Sequence, residues 1–347
     1  MQRFEYRRER TMEAAASVAR SALTAPGAAP GKDSTPARNS AQFIAGGTNM
    51  TDYMTLNVVQ PHMLIDLNHV PERYKQIESN DRFLRLGALV KMAQAEDDPI
   101  IGKRYPVIQQ ALMLAASRQI RNMASLGGNV LQRTRCEYFR ETSWPCNKRA
   151  PGAGCAALDG LNREHAVLGT SDKCIATYPG DLAQALIALD AVIETIGGTS
   201  GPRRLPFAAL HRLPGNSPHL ETALTPGELI TFIEVPAGPW TRRSRYVKVR
   251  DRQSYQFALT SAAVALQLDG DTVSEARIAL GGVATVPWRA HEAEAVLKGR
   301  VLNEGTAAKA AEVAFAGAQP RTYNAFKVPI GKQTLVRALL ETQAMRV

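Results

Sequence analysis

Nowhere in the chain do about 18 apolar residues run together, so no membrane-spanning helix is expected. The stretch from Met1 to Arg10 has no apolar segment behind it, and no twin-arginine pair leads into one, so nothing there reads as an export signal. Aromatic residues make up only 6 %, the basic residues are spread out, and no helix-turn-helix, RNA-recognition or zinc-finger pattern accompanies the net charge of +10. Nucleic acid is therefore not expected as a partner. An anionic cofactor or an acidic partner subunit accounts for the charge with fewer assumptions. There are no internal repeats, and no His/Asp/Ser triad is credible, because His165 is the only histidine near the cysteines. No catalytic side chain is expected.

Cysteine is scarce too, and all four residues fall in one window, Cys136, Cys146, Cys155 and Cys174, spaced C-x9-C-x8-C-x18-C. Free cysteines that fill core gaps have no reason to cluster, so the four read as a ligand set. Disulfides suit small secreted domains, whereas 347 residues bury enough core not to need them. Structural zinc favours a close pair of cysteines two to four residues apart, and no such pair exists here. An iron–sulfur cluster accepts thiolates delivered singly by long loops, and Pro145, Asn147, Pro151, Gly152, Gly154, Asp159 and Gly160 are turn formers. Between Arg133 and Arg149 five basic side chains (Arg133, Arg135, Arg140, Lys148, Arg149) face two acidic ones (Glu137, Glu141), a balance that favours thiolates and an anionic cluster. A solvated basic loop is the plain alternative. On spacing alone all three readings stay open.

With 45 % hydrophobic and 21 % charged residues, the composition is that of a globular chain of two or three domains. Phe4 and Tyr6 suggest a short strand, and Met12, Ala15, Ala16, Val18, Ala19 and Ala22 an amphipathic helix capped near Thr11. From Thr24 to Gln42 the composition predicts a flexible surface loop. The run Phe43 to Asp52 then breaks on Gly46 and Gly47 before a helix-compatible segment. Such a pair lets backbone N–H groups approach an anion with a helix dipole behind them, although a lone pair is more often a plain turn.

Strands are expected at His62–Leu67 and Phe83–Ala88, and helices at Val90–Glu96 and Tyr105–Ala116. A second glycine pair lies within Ile120–Asn129, and two such loops flanking one space suit the pyrophosphate of a dinucleotide. Asp181 opens a helix through Leu182, Leu186 and Leu189, as cap or ligand contact. Strands follow at Ala191–Thr195 and Glu228–Val235, with a boundary near Pro236 to Pro239. Three more strands (Tyr246–Arg250, Leu259–Leu268, Arg277–Gly282) and two helices (Thr306–Ala316, Gln333–Met345) predict an α+β end to the chain.

The segments FIAGGTN, RLGALV, IRNMASLGGNV, YPGDL, PGELI and YVKVRDRQSYQFALTSAAVAL, in this order, resemble the FAD-binding medium subunit of the xanthine dehydrogenase and molybdenum hydroxylase family. GGVATVPWRA resembles the opening of that family's C-terminal domain core, and the resemblance covers nearly the whole chain. LQRTRCEYFR, PCNKR, GCAAL and HAVLGTSDKCIAT look like the subgroup whose FAD subunit carries an extra [4Fe–4S] cluster, as in 4-hydroxybenzoyl-CoA reductase and periplasmic aldehyde oxidoreductase. PCNKR and GCAAL are most similar to the aldehyde oxidoreductase branch.

The resemblance implies an α+β fold. A two-part FAD-binding domain of the PCMH or vanillyl-alcohol-oxidase-like kind would span 1–236, with subdomains at about 1–62 and 63–236, an iron–sulfur insertion at 132–176 and a flexible loop at 24–42. A C-terminal α+β domain of the CO dehydrogenase flavoprotein type would span 240–347. It further implies that Ala45, Gly46, Gly47, Thr48, Asn49, Met50 and Thr51 form the first pyrophosphate loop, and that Ser125, Gly128 and Asn129 belong to the second, with Gly87 also in the cofactor set. By the same resemblance Asp181 would bind the sugar part of FAD, Leu229 or Ile230 would lie against the flavin, and Lys248 would sit near the isoalloxazine. The plain alternative for Lys248 is a strand lysine. Cys136, Cys146, Cys155 and Cys174 would hold the [4Fe–4S] cluster. Two departures from the family pattern stand out: the long loop at 24–42, and Ala115 where some flavin subunits stack an aromatic ring.

The function so implied is electron transfer within a heterotrimeric molybdenum-containing aldehyde oxidoreductase, alongside a large molybdenum-cofactor subunit and a small [2Fe–2S] subunit, and onward to a soluble acceptor. Neither nucleic acid nor membrane is an expected partner. The alternatives are a flavin subunit of hydroxybenzoyl-CoA reductase or xanthine dehydrogenase type, a vanillyl-alcohol- or berberine-type FAD oxidoreductase, and a zinc-binding scaffold. The expected compartment is the periplasm by co-export with a signal-bearing partner, or the cytoplasm without one.

Overall fold

The computed structural model describes residues 2–24, 40–199 and 201–347. Most of the loop expected at 24–42 lies outside the described residues. The chain begins with β1 (Glu5–Arg8) and α1 (Met12–Thr24), then β2 (Ala41–Ile44), α2 (Met50–Thr55) and β3 (Met63–Asp66). Met12, Ala15, Ala16 and Ala19 fall at i, i+3, i+4 and i+7 and form the buried face of α1, whose first turn is capped by the Thr11 hydroxyl accepting from Ala14 N at 3.0 Å. That face packs with Ile65 and Leu67 on one side and with Leu229 and Phe232 on the other. The three strands form a parallel sheet in the order β1-β3-β2. The first layer therefore runs past the boundary expected at residue 62, because β3 is its central strand. Parallel pairing joins strands that are distant in sequence, and no local pattern reports it.

A second sheet is antiparallel, in the order β4 (Ile77–Ser79), β5 (Phe83–Gly87), β8 (Glu228–Pro236), β6 (Val192–Gly197), β7 (Arg203–Pro206). Its two outer strands are only three and four residues long, too short to carry a readable alternation. Between β5 and β6 lie α3 (Met92–Asp97), α4 (Pro99–Arg104), α5 (Pro106–Met113), α6 (Arg118–Met123), α7 (Leu126–Val130), α8 (Glu137–Arg140) and α9 (Leu182–Ala188). Every residue of α9 is buried, since the helix lies between this sheet's core and the C-terminal sheet.

The C-terminal part is a four-stranded antiparallel sheet, β9 (Ser244–Val249), β10 (Thr260–Asp269), β11 (Thr272–Gly281) and β12 (Trp288–Arg289), covered by α10 (His291–Leu297), α11 (Glu304–Ala314) and α12 (Lys327–Gln343). β11 begins at Thr272 rather than Arg277, because Gly270 at φ +58° closes a tight hairpin directly after β10. α12 begins at Lys327 rather than Gln333, with Pro329 in its first turn, where the missing N–H costs nothing.

The insertion at 132–176 contains α8 and otherwise turns, and it is wedged between the two larger parts. Val167 N and Leu168 N donate to Val283 O at 2.8 and 3.0 Å, and Gln319 N donates to Val167 O at 2.7 Å. On the opposite side Arg140 holds both oxygens of Asp52 at 2.7 and 2.9 Å, and Arg135 reaches Asp52 and Asn49 at 2.9 and 2.7 Å.

Candidate cofactor site

β2 delivers the chain into the first glycine loop. A Cβ on Gly46 would stand 1.9 Å from Met123 O, and Gly47 has φ +75°, so both positions suit glycine, one for close approach and one for its backbone angle. Thr51 N donates to Gly47 O at 2.9 Å and starts α2 directly behind the turn. The second loop ends at Ser125, and the glycine pair expected in it falls in the first turn of α7: Ser125 caps that helix, its Oγ accepting from Gly128 N at 3.3 Å, and Gly127 N donates to Ala88 O at 2.8 Å. Asn49 Nδ2 donates to Gly128 O at 3.1 Å and ties the loops together.

The two loops line one cleft of about 270 Å³. Its wall includes Ala45, Gly46, Gly47, Thr48, Asn49 and Met50 from the first loop, Ser125 and Gly128 from the second, and Leu229 and Ile230 from β8. Glycine-cradled backbone opposite an apolar strand fits an anionic dinucleotide with a flat aromatic end, as FAD has.

Five of the expected contacts do not line this cleft. A Cβ on Gly87 would meet Tyr74 O at 2.3 Å, so that glycine serves the approach of β5 to its neighbouring turn. The Thr51 hydroxyl donates to Gly47 O at 2.8 Å, and Asn129 Oδ1 is buried without a hydrogen-bond partner among the described residues. Lys248 Nζ lies 2.8 Å from Asp181 Oδ2 and also donates to Leu114 O at 3.0 Å. The side chains of this pair are only 1 % and 5 % exposed, and Tyr246 donates to Asp181 Oδ1 at 2.7 Å, so the pair pins the start of α9 to β9. Burial, then the Asp181 charge, push the Tyr246 phenol well above its ordinary range.

Two residues of the far wall, His211 and Glu221, belong to no sequence motif. Tyr178 OH and His211 Nε2–H both donate to Val130 O, at 3.0 and 2.9 Å, with their rings edge to face at 4.7 Å. Burial lowers His211 to about 4, which keeps it neutral. Glu221 accepts from Arg133 Nε at 2.7 Å and lies 3.5 Å from Lys148 Nζ. Burial works against this carboxylate, yet Arg133 and Lys148 hold it below its ordinary range. Ala115 is buried and outside the cleft, whose ring-bearing side chains are Phe43, Tyr53, Tyr178, His211 and His219.

Behind this wall lie the four cysteines, none of them in a disulfide. Cys146 and Cys155 face each other in an isolated antiparallel bridge. Asn147 braces their loop, donating to Lys173 O at 3.0 Å and accepting from Gly154 N at 2.9 Å. Cys136 opens α8, and Cys174 Sγ accepts from Ala176 N at 3.4 Å. Burial raises Cys136 to about 12 and Cys174 to about 11, and the charges of neighbouring window thiols add to both shifts. Among the described residues no three His, Cys, Asp or Glu side chains gather closely enough to hold one metal ion. Four thiols within electrostatic reach of one another are the number and kind of donor that a [4Fe–4S] cluster takes. His165 Nε2 lies 3.1 Å from Cys136 Sγ, and burial, then Lys327, lower that imidazole to about 4. Thr134, Lys148 and Ala176 line the cleft, and each is two positions from a cysteine.

Comparison with known proteins agrees with this geometry. The model described as the FAD binding domain in molybdopterin dehydrogenase matches residues 3–238, and that of the CO dehydrogenase flavoprotein C-terminal domain matches residues 245–342. The chain is 46 % identical over 305 residues to the aldehyde oxidoreductase FAD-binding subunit of Escherichia coli strain K12, covering 88 % of this chain and 92 % of that one. It is 26 % identical over 312 residues to the carbon monoxide dehydrogenase medium chain of Hydrogenophaga pseudoflava, covering 87 % and 88 %. A solved structure of carbon monoxide dehydrogenase from that organism, lacking the Mo-pyranopterin moiety of its molybdenum cofactor, superposes with a TM-score of 0.73 at 25 % identity, over 99 % of this chain and 98 % of that one. With both halves of the chain matched and the glycine-lined cleft in place, the protein belongs to the FAD-binding medium subunits of the molybdenum hydroxylase family and is an oxidoreductase subunit.

Proposed function

We propose that this chain is the electron-transfer subunit of a molybdenum-containing aldehyde oxidoreductase, with FAD in the cleft between the glycine loops and a [4Fe–4S] cluster on Cys136, Cys146, Cys155 and Cys174. One observation carries the pairing of the two centres: Thr134, Lys148 and Ala176 belong to the cleft wall, and each is two positions from a cysteine, so one thin layer of chain separates cleft and thiols. The likeness to an aldehyde oxidoreductase subunit supports the substrate class.

In this reading Ala45 to Met50 of the first loop, with Ser125 and Gly128 of the second, hold the pyrophosphate, while Leu229 and Ile230 face the flavin and Thr51 and Asn129 shape the loops without lining the cleft. Asp181, Lys248 and Gly87 support the site from behind rather than lining it. FAD, when bound, supplies a centre that exchanges electrons singly or in pairs. The aldehyde is oxidised on a large molybdenum-cofactor subunit, a small [2Fe–2S] subunit connects it to this chain, and a soluble acceptor takes the electrons. The complex is assigned to the periplasm through co-export with a signal-bearing partner. Deleting the partner's signal is expected to leave this chain in the cytoplasmic fraction, and its continued appearance in the periplasm would overturn that assignment.

The central test is the absorption spectrum and iron content of the purified complex, wild type against Cys146→Ser. The variant is expected to lose the iron of this cluster while keeping most of its FAD. Full retention of iron would refute the ligand assignment, and a colourless, zinc-containing protein would refute the function.

A further inference from the structure

We propose that His165 donates a hydrogen bond from Nε2 to the sulfur of Cys136 and so tunes the reduction potential of the iron–sulfur centre. The inference rests on the cluster reading above. The nitrogen lies 3.1 Å from the sulfur, within reach of an N–H···S bond. The residue is 5 % exposed, and its other ring nitrogen, Nδ1, is buried without a partner among the described residues. A neutral imidazole carries one ring N–H. Placed on Nδ1, that proton would be a buried donor with nothing to bind, whereas on Nε2 it meets the sulfur.

The backbone that carries the ring is also held from several directions. His165 N donates to Asn162 O at 3.0 Å, and Asn324 Nδ2 donates to His165 O at 3.3 Å and to Ala166 O at 3.1 Å. Next to it Lys327 Nζ donates to Glu164 O and Gly282 O, both at 2.8 Å, so the C-terminal part clamps the peptide that carries the imidazole. Tyr138 covers the ring at 6.1 Å between centroids. Hydrogen bonds to cluster sulfurs draw off negative charge and favour the reduced, more anionic state, so losing one moves the potential in the negative direction.

The test is an EPR-monitored redox titration of the assembled complex, in wild type, His165→Leu and His165→Gln. The signal of this cluster is assigned by its loss in Cys146→Ser. His165→Leu is expected to keep its iron and shift the cluster midpoint to more negative potential, with the flavin midpoint unmoved. His165→Gln, whose amide N–H can reach the same sulfur, is expected to restore most of the shift. An unmoved midpoint in His165→Leu overturns the proposal, and so does an equal shift in both variants. Should His165→Leu lose its iron, His165→Gln decides: iron kept near the wild-type potential supports the hydrogen bond, and iron lost assigns His165 to packing alone. Failure of the underlying cluster reading is seen separately, as wild-type complex without iron on this chain, and takes the proposal with it.

Discussion

At the scale of single residues, the two glycines of the first loop make different demands. A methyl group at Gly46 would collide with Met123 O, which is backbone and cannot turn aside, so Gly46→Ala must separate the two loops. At Gly47 a methyl group would meet side-chain atoms at 3.7 Å, an ordinary contact, and Gly47→Ala meets only the cost of φ +75°, about 1–2 kcal/mol. Gly46→Ala is therefore expected to purify with little flavin and Gly47→Ala with most of it, measured as the flavin-to-protein ratio. Equal flavin content in the two would refute the close approach. Lys248→Met poses a different question. It leaves Asp181 buried without its cation, a change expected to cost about 3–5 kcal/mol of folding stability in denaturant melts, while flavin content stays normal below the transition. Unchanged stability with a shifted flavin potential would return Lys248 to direct contact with the cofactor.

At the scale of elements, α2 ties the cofactor loop to the insertion, because Asp52 receives both Arg135 and Arg140. Asp52→Asn is expected to speed hydrogen–deuterium exchange across residues 133–141 while the β10 amides stay protected; unchanged exchange in that segment would show that the ion pairs do not hold it. The hydrogen bond from Arg140, then the charges of Arg140 and Arg135, depress the Asp52 pKa against the opposing effect of burial. The Glu221 carboxylate is also depressed. For acids with depressed folded values, the stabilisation is complete above their ordinary values of 3.8 and 4.5 and is lost as pH falls through the lower folded values. Release of cofactor should therefore set in on the acid side of pH 4.5, and Glu221→Gln should flatten that limb of the profile. An acid limb of unchanged steepness in Glu221→Gln would assign it to other groups.

At the scale of the whole molecule, the insertion joins the two larger parts, and Lys327 is one of its rivets. Its Nζ donates to carbonyls of the insertion and of the loop after β11, and Lys327→Met leaves both without that donor. At about 1–3 kcal/mol for each unsatisfied buried group, the thermal midpoint should fall by several degrees. Loss of iron absorbance is expected to follow the same shifted transition, because the peptide beside Cys136 loosens with it. A variant that melts like wild type would show that the seam rests on its backbone hydrogen bonds alone.

The sequence by itself determined the features that obey local rules: the face of α1, the first glycine turn, the apolar run of β10 and the gathering of cysteines in one window. These depend on backbone angles and periodicities that neighbouring residues set. Only the tertiary structure decided which side chains meet. Asp181 and Lys248 are 67 residues apart in the chain, and packing turned them toward each other instead of toward the cleft. Glu221 and His211 sit in an irregular stretch whose role in the far wall exists only once it folds against Arg133 and Val130. His165 and Cys136 are 29 residues apart, and their contact arises because the C-terminal part clamps the insertion around them.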